Sequence, residues 1–317
     1  MAGVLVYSED SELALQLLGK GRDLANKLGS DLKVVVIGRG IDESDIPMKE
    51  NADVVYLIDD VKLGIFEVEA YRTALLASIE KSSPDVILMG ATKFGKELAP
   101  RVAGALNAGC MTECISLDLD VQLRLIGERL TYGGSSVAAE VSRRKPHIAT
   151  VAKRIFPKPE PTGKIGIVEK LQVSLPEPRV RTIEGREKRR ADSGLEDASI
   201  IVAAGRGFRR KEDLELLEDL ASILGAKIGC TRPIAADSGW LEDWIGISGR
   251  KVKPKLYLAC GVSGTIQHAA GIRDAQIIVS INQDEASNIF QLSDYGIVGD
   301  LYIVLPALTR ALKEREK

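Results

Sequence analysis

Between Leu256 and Asn282 the chain sets Gly261, Ser263, Gly264, Gln267 and His268 directly behind an apolar run, Leu256–Ala259. Residues of those types at that spacing suit the presentation of backbone amides to a phosphate. The glycines allow a tight turn and close approach of the backbone to a ligand. A helix opening over Thr265–Ala270 would aim its first N–H groups at the same place, and Gln267 and His268 would add side-chain donors. Ser263, with the backbone of Gly261 and Gly264, is then one phosphate contact. A second is Arg206, which lies between Gly205 and Gly207 just after the apolar segment Ser199–Ala203. There its guanidinium falls at the carboxyl edge of a sheet, where open α/β folds bind ligands, and its planar fork of donors matches phosphate. Thr231 and Arg232 follow a short strand near Lys227–Gly229, where the chain turns over the same edge.

No second chemistry stands out. The sequence has no GxSxG elbow, no HExxH and no Cys–His or paired-carboxylate constellation at a telling spacing. Gly205-Arg206-Gly207 lacks the third glycine of a GxGxxG fingerprint, and there is no P-loop. His147 and His268 have too few companions for a metal site, and His147, beside Pro146 in a strand-like segment, reads as structural. Cys110 and Cys114 have neither CxxC spacing nor a matching second pair, so the four cysteines read as reduced packing residues.

The elements that must position these residues alternate between strand and helix. Strands are expected at Gly3–Tyr7, Lys33–Ile37, Val54–Ile58, Asp85–Met89 and Ile148–Val151, with helical spacing at Leu13–Leu28 and Val68–Ile79. Such repetition implies a mainly parallel sheet with helices on both faces. From Cys114 to Ala139 shorter alternating segments imply a strand-rich extension. Five of the twelve prolines fall between Phe156 and Pro178, and Arg179–Arg190 carries six basic residues. Proline resists regular pairing and dense charge resists burial, so a domain boundary is expected here: a first domain over 1–175, a charged connector over 176–194 and a second domain over 195–317. The second domain should be a doubly wound α/β unit. It would hold a helix over Lys211–Leu224 and strands near Ser199–Ala203, Lys227–Gly229, Leu256–Ala259, Gln276–Ile281 and Leu301–Val304.

Composition fits that division. A chain of 317 residues, 45% hydrophobic, has the length for about two domains with their own cores. A net charge of −2 gives no general attraction to nucleic acid or anionic membrane. Neither a basic, apolar leader nor a run near the roughly 18 apolar residues of a membrane span is present, so a cytoplasmic location is expected.

The pattern LYxAxGxSGxIQHxAGxxxxxxIVxIN over Leu256–Asn282 resembles the C-terminal segment of electron transfer flavoprotein alpha subunits, the family that includes FixB proteins. AAGRGF (203–208), GCTRPIAADSGW (229–240), GISG (246–249) and DYGIVGDLYIVLP (294–306) follow the family's order, and GATKFGKELAPRVA (90–103) resembles a segment of its first domain. The resemblance therefore covers nearly the whole chain.

It implies a redox carrier rather than a stand-alone enzyme, with FAD held by the second domain and the chemistry belonging to the flavin. A homologous beta subunit, contacting the first domain and carrying AMP or a second FAD, would complete a heterodimer. Electrons would pass between dehydrogenases and a quinone oxidoreductase or ferredoxin. By resemblance Arg232 lies against the flavin ring, where a cation favours reduced, anionic forms, and Ser248, beside Gly249, faces flavin N5. Ile247 stands where the family often has glutamine, which removes one polar contact to the ring. His268 would stabilise negative charge near N1 and the C2 carbonyl, and Asn282 and Asp300 would reach the adenosine end. The segment at 90–103 and Gly239-Trp240 lean towards the electron-bifurcating branch. Two alternatives remain: a flavin-free adenine-nucleotide-binding protein, and a free-standing NAD-dependent oxidoreductase.

Overall fold

The computed structural model describes residues 3–134, 136–160, 165–177, 179, 180, 182 and 194–315. The chain divides into two compact units, 1–185 and 186–317. Most of the charged stretch expected as a connector, 176–194, lies outside the described residues.

Unit 1 runs β1 (Val4–Tyr7), α1 (Ser11–Leu28), β2 (Leu32–Gly38), β3 (Val54–Asp59), α2 (Val68–Ser82), β4 (Val86–Gly90), α3 (Lys93–Ala105), β5 (Cys110–Leu119), β6 (Leu125–Thr131), β7 (Ser136–Val141), β8 (His147–Val151) and β9 (Ile167–Lys170). Its sheet has the order β7-β6-β5-β8-β4-β1-β2-β3-β9. The pairings of β5 with β6 and β6 with β7 are antiparallel, as the strand-rich extension requires, and the others are parallel. Alternating residues of β1 and β4 explain the continuous apolar runs. Val4, Val6 and Leu88 pack with Leu13, Leu17 and Leu24 of α1 on one face. Leu5, Tyr7, Ile87 and Met89 pack with Leu75 of α2 and Leu98 and Val102 of α3 on the other. Each buried Leu or Ile of this kind contributes roughly 1.5–3 kcal/mol. The first helix is delimited locally: Asp10 accepts from the Leu13 amide at 3.0 Å, and Gly29 ends it with φ 60°.

Unit 2 runs β10 (Ile200–Ala204), α4 (Glu215–Leu224), β11 (Lys227–Cys230), β12 (Leu256–Cys260), α5 (Ile266–Ile272), β13 (Ile277–Asn282), β14 (Tyr295–Val298) and α6 (Leu301–Arg315). Its five strands are all parallel, in the order β11-β10-β12-β13-β14. Leu217 and Leu220 of α4 and Leu301 and Leu305 of α6 cover one face, while Ile245, Val262 and Ile272 cover the other. The fold is thus α/β in both units, with the second doubly wound.

One expected strand is wrong. Leu301–Val304 opens α6, and the last strand is β14, one segment earlier. Its apolar residues look β-like, but Leu301 and Leu305 are buried and Leu308 and Leu312 pack beside them, a helical spacing. Asp300 fixes the start: its Oδ1 accepts from the Tyr302 amide at 2.9 Å, and its carbonyl accepts from the amides of Ile303 and Val304. Among the described residues, no helix is long and apolar enough to cross a membrane.

Candidate functional site

The strand order of unit 2 locates its ligand edge without reference to any motif. From β10 the chain crosses to β11 on one side, then returns past β10 to β12 on the other. The loops after β10 and β12 therefore leave in opposite directions, and parallel sheets take ligands at such a switch point. Ala204 and Cys260, the last residues of these strands, are paired in register. Gly205-Arg206-Gly207 and Gly261–Gly264 follow them.

These two loops lie backbone on backbone. The amides of Gly205 and Gly207 donate to the carbonyls of Cys260 and Gly261 at 2.9 and 3.1 Å. A Cβ on Gly205 would fall 2.2 Å from the Gly261 carbonyl oxygen, and one on Gly261 would fall 2.7 Å from the Gly207 Cα. Gly261 and Gly264 have φ of 63° and 73°, the left-handed region that glycine occupies freely. Arg206 stands exposed between its glycines, and Ser263 is exposed in the facing loop. The helix behind Ser263 is short: α5 has seven residues, so the loop amides outweigh any helix dipole here.

Thr231 and Arg232 come to the same edge after β11. The Thr231 amide donates to the Ala204 carbonyl at 2.9 Å, while its hydroxyl is buried with no hydrogen-bond partner. Arg232 is exposed and begins a π-helical turn, Pro233–Asp237. Neither Arg206 nor Arg232 has an ion pair or side-chain hydrogen bond among the described residues. Arg250 shows the contrasting arrangement, bonded to Glu196 at 3.1 Å and Asp243 at 3.2 Å.

The Gly246–Gly249 loop is seated on α5. The Ile247 amide donates to the Gln267 carbonyl at 2.9 Å, and a Cβ on Gly271 would meet the Gly246 nitrogen at 2.5 Å. Ser248 is exposed and accepts from the Trp244 indole at 3.3 Å, which leaves its own proton to donate. Gly249 is obligatory, since a Cβ there would lie 2.1 Å from the Trp244 carbonyl oxygen. Gln267 is exposed beside this loop.

His268 is buried, and both ring nitrogens are bonded within the protein. Nδ1 lies 3.0 Å from the Ile245 carbonyl and Nε2 lies 2.9 Å from the Tyr257 hydroxyl. A carbonyl only accepts, so Nδ1 carries the proton; desolvation pulls the ring's pKa down to about 4, so Nε2 is bare and Tyr257 donates to it. In this geometry the ring has no donor to spare and instead ties the strand β12 to the start of the Gly246–Gly249 loop. His147 is equally internal, its Nδ1 accepting from the Leu125 amide at 3.0 Å.

Asn282 and Asp300 have local partners too. Asn282 donates to the Val262 carbonyl at 2.8 Å and the Ser287 hydroxyl at 3.2 Å, and its Oδ1 accepts from the Asp284 amide at 3.0 Å. Asp300 caps α6 as described. The edge thus gathers Arg206, Gly261, Ser263 and Gly264 in two abutting loops braced by Asn282, with Thr231 anchored to Ala204 beside them. The loop that carries Ser248 is bonded through the Ile247 amide to the Gln267 carbonyl at the start of α5. Sequence reasoning missed Tyr257, whose partner is 11 residues away, and Arg209 and Tyr302, 93 residues apart. The only signal for Arg209 was its place in a basic run, Arg209-Arg210-Lys211, close behind Arg206.

FAD suits this donor set. An orphaned buried hydroxyl at Thr231 calls for a partner, two unpaired arginines suit a pyrophosphate and a flavin ring, and the glycines keep side chains out of the switch point. Among the described residues, no group of His, Cys, Asp and Glu could hold a metal.

Comparison with known proteins agrees. Residues 4–176 match the family model of the electron transfer flavoprotein domain, and residues 194–273 match that of the electron transfer flavoprotein FAD-binding domain. The FixB protein of Clostridium saccharobutylicum is 37% identical, over 98% of this chain and 96% of its own. The electron transfer flavoprotein subunit alpha of Clostridium acetobutylicum is 36% identical, over 98% and 97%. The lactate dehydrogenase (NAD(+),ferredoxin) subunit LctC of Acetobacterium woodii is 35% identical, over 99% of this chain and 78% of its own. With both units matched in order and relatives aligned along almost all of its length, the chain belongs to the electron transfer flavoprotein alpha-subunit family, which includes FixB.

Proposed function

We propose that this chain is the alpha subunit of a cytoplasmic heterodimer that binds FAD at the switch-point edge of unit 2 and passes electrons between a dehydrogenase and a quinone- or ferredoxin-linked acceptor. The observation that carries the reading is the set of unspent polar groups at that edge: the Thr231 hydroxyl and the guanidinium groups of Arg206 and Arg232. Arg250, His268, Asn282 and Asp300 are by contrast already bonded within unit 2.

FAD supplies one-electron and hydride chemistry when bound. What this chain supplies is binding and electrostatics. Arg206, Ser263 and the amides around Gly261 and Gly264 would hold the pyrophosphate, and Ser248 would present a hydroxyl to the ring. Arg232 would place a positive charge beside it. Two unit charges about 4 Å apart at an effective dielectric near 20 interact by roughly 4 kcal/mol, which for one electron is on the order of 170 mV. Arg232 is exposed, so solvent takes up part of that. His268 would act through the Gly246–Gly249 loop, by holding Ile245, rather than by donating to the ring.

The beta subunit would hold AMP or a second FAD. The LctC relative, named for NAD(+) and ferredoxin, favours the electron-bifurcating variant with two flavins. Purifying the chain with its beta subunit, releasing the flavin with acid and counting it per heterodimer tests all of this. One FAD supports a simple carrier and two support bifurcation; none after reconstitution refutes the proposal.

A further inference from the structure

A hollow of about 180 Å³ opens at the carboxyl edge of unit 2, walled by the backbone of Gly207, Gly261 and Gly299 and by Arg209, Asn282 and Gln283. Arg209 is the one charged residue lining it. We propose that Arg209, laid over the ring of Tyr302, grips a phosphoryl group of the adenylate half of the bound dinucleotide, and that Tyr302 positions it. The inference rests on the reading that unit 2 binds FAD.

The guanidinium carbon of Arg209 lies 5.1 Å from the centre of the Tyr302 ring, within cation–π range. Tyr302 is itself fixed at three points. Its hydroxyl accepts from the Arg209 amide at 2.8 Å and donates to Asp213 at 2.5 Å, and its own amide is held by Asp300 at the head of α6. Holding that proton keeps the Asp213 carboxyl below its usual range, and the negative charge is thereby tied to Tyr302 and to the Arg210 amide rather than to the Arg209 side chain. Arg209 has no carboxylate partner among the described residues.

A guanidinium held on an aromatic face keeps its charge and its five donors while already having lost rotamer freedom, so little is lost when an anion arrives. That is the difference between Arg209 and Arg250, whose charge is spent on two carboxylates. Asn282, in the same wall, has spent both donors on Val262 and Ser287. Arg209 alone combines full charge, an ordered position and unspent donors at this hollow. A phosphate is the anion whose geometry a guanidinium fork fits.

The test uses the heterodimer, stripped of flavin and titrated with FAD, and separately with ADP, at several salt concentrations. Arg209→Gln should raise the Kd for FAD at least tenfold and for ADP by a similar factor, with a shallower dependence on salt. Arg209→Lys should recover part of the loss. Tyr302→Leu should weaken FAD several-fold, whereas Tyr302→Phe, which keeps the ring, should stay nearer the parent. Equal FAD affinity and salt dependence in Arg209→Gln and the parent would overturn the proposal, and a Tyr302→Leu variant that binds like the parent would overturn the positioning role. Should the parent bind no FAD, the reading beneath the proposal fails. ADP then decides the grip alone: ADP binding lost in Arg209→Gln upholds it, and ADP binding that is absent or unchanged refutes it.

Discussion

Unit 1 has a mixed sheet and unit 2 an all-parallel one, yet each has a switch point between parallel strands, and the two edges are finished in opposite ways. In unit 1 the order β4-β1-β2 puts the switch between β1 and β4. There the protein fills its own edge: a Cβ on Gly90 would meet the Ser8 hydroxyl at 2.5 Å and a Leu13 methyl at 2.8 Å. Asp10 is occupied by the α1 cap and by Lys153, and Lys96 by Glu113. In unit 2 the corresponding loops carry glycines against glycines, unpaired arginines and an orphaned hydroxyl. Topology makes an edge available in both, and each leaves a buried hydroxyl without a partner, Tyr7 at the end of β1 and Thr231 after β11; the abutting glycine loops and the unpaired arginines are what distinguish the edge of unit 2. A filled edge and an open one should respond differently to mutation.

The largest effect should come from filling the open edge. Gly264→Ala puts a Cβ 2.3 Å from the Ile289 nitrogen at φ 73°, a backbone clash with added strain. It should cost roughly 3 kcal/mol or more of unit 2 stability and abolish flavin retention. Gly225→Ala is the control: its φ is 60° but its Cβ would meet nothing within 4 Å, so about 1 kcal/mol is expected. Denaturant unfolding of the two variants checks the pair, and similar costs would show that the close loop contacts carry no weight.

Acid comes next. The folded pKa of His268 is about 4, below that of the unfolded chain, so the unfolded state takes up the proton first. The neutral ring's stability is fully present above about pH 6.5 and drains away as pH falls towards 4, by about 3 kcal/mol for unit 2. His268→Gln should flatten that slope. An NMR titration showing His268 protonated at pH 6 would contradict the Tyr257–His268–Ile245 arrangement.

Arg232→Ala should leave stability within about 0.5 kcal/mol, because the side chain is exposed and unpaired. It should nonetheless lower the first reduction potential of the heterodimer by up to about 170 mV. An unchanged potential removes Arg232 from the ring. The smallest contrast is in thiol chemistry. Burial raises Cys230 and Cys260 to about 12 and Cys110, half-exposed, to about 11. Slow alkylation at pH 8 should therefore reach Cys110 first, and early labelling of Cys260 would mean that the carboxyl edge of unit 2 opens.

Much of this was legible in the sequence because buried parallel strands write themselves as continuous apolar runs: Leu256–Ala259 and Asp85–Met89 fall within a residue of β12 and β4. The glycines were legible as well, though for a partly different reason. Gly205, Gly207 and Gly261 are required first by each other's backbone and only then by any ligand. Leu301–Val304 misled because four apolar residues in a row fit either period until Leu305 and Leu308 are counted. β9, four residues of which Ile167 is 72% exposed, hides in a proline-rich stretch because an edge strand needs no apolar run. The roles of Tyr257 and Tyr302 were invisible, since each depends on a partner brought close by the fold rather than by the chain.

The abutting glycine loops bear on how this protein can change over generations. Where two side chains meet, enlargement of one can be offset by shrinkage of the other. At Gly207 and Gly261 each Cβ would lie 2.7 Å from the other residue's Cα, and neither residue has anything left to trim. A lineage that acquires a side chain at either position therefore has no single-residue suppressor to find; it can only revert, or lengthen a loop.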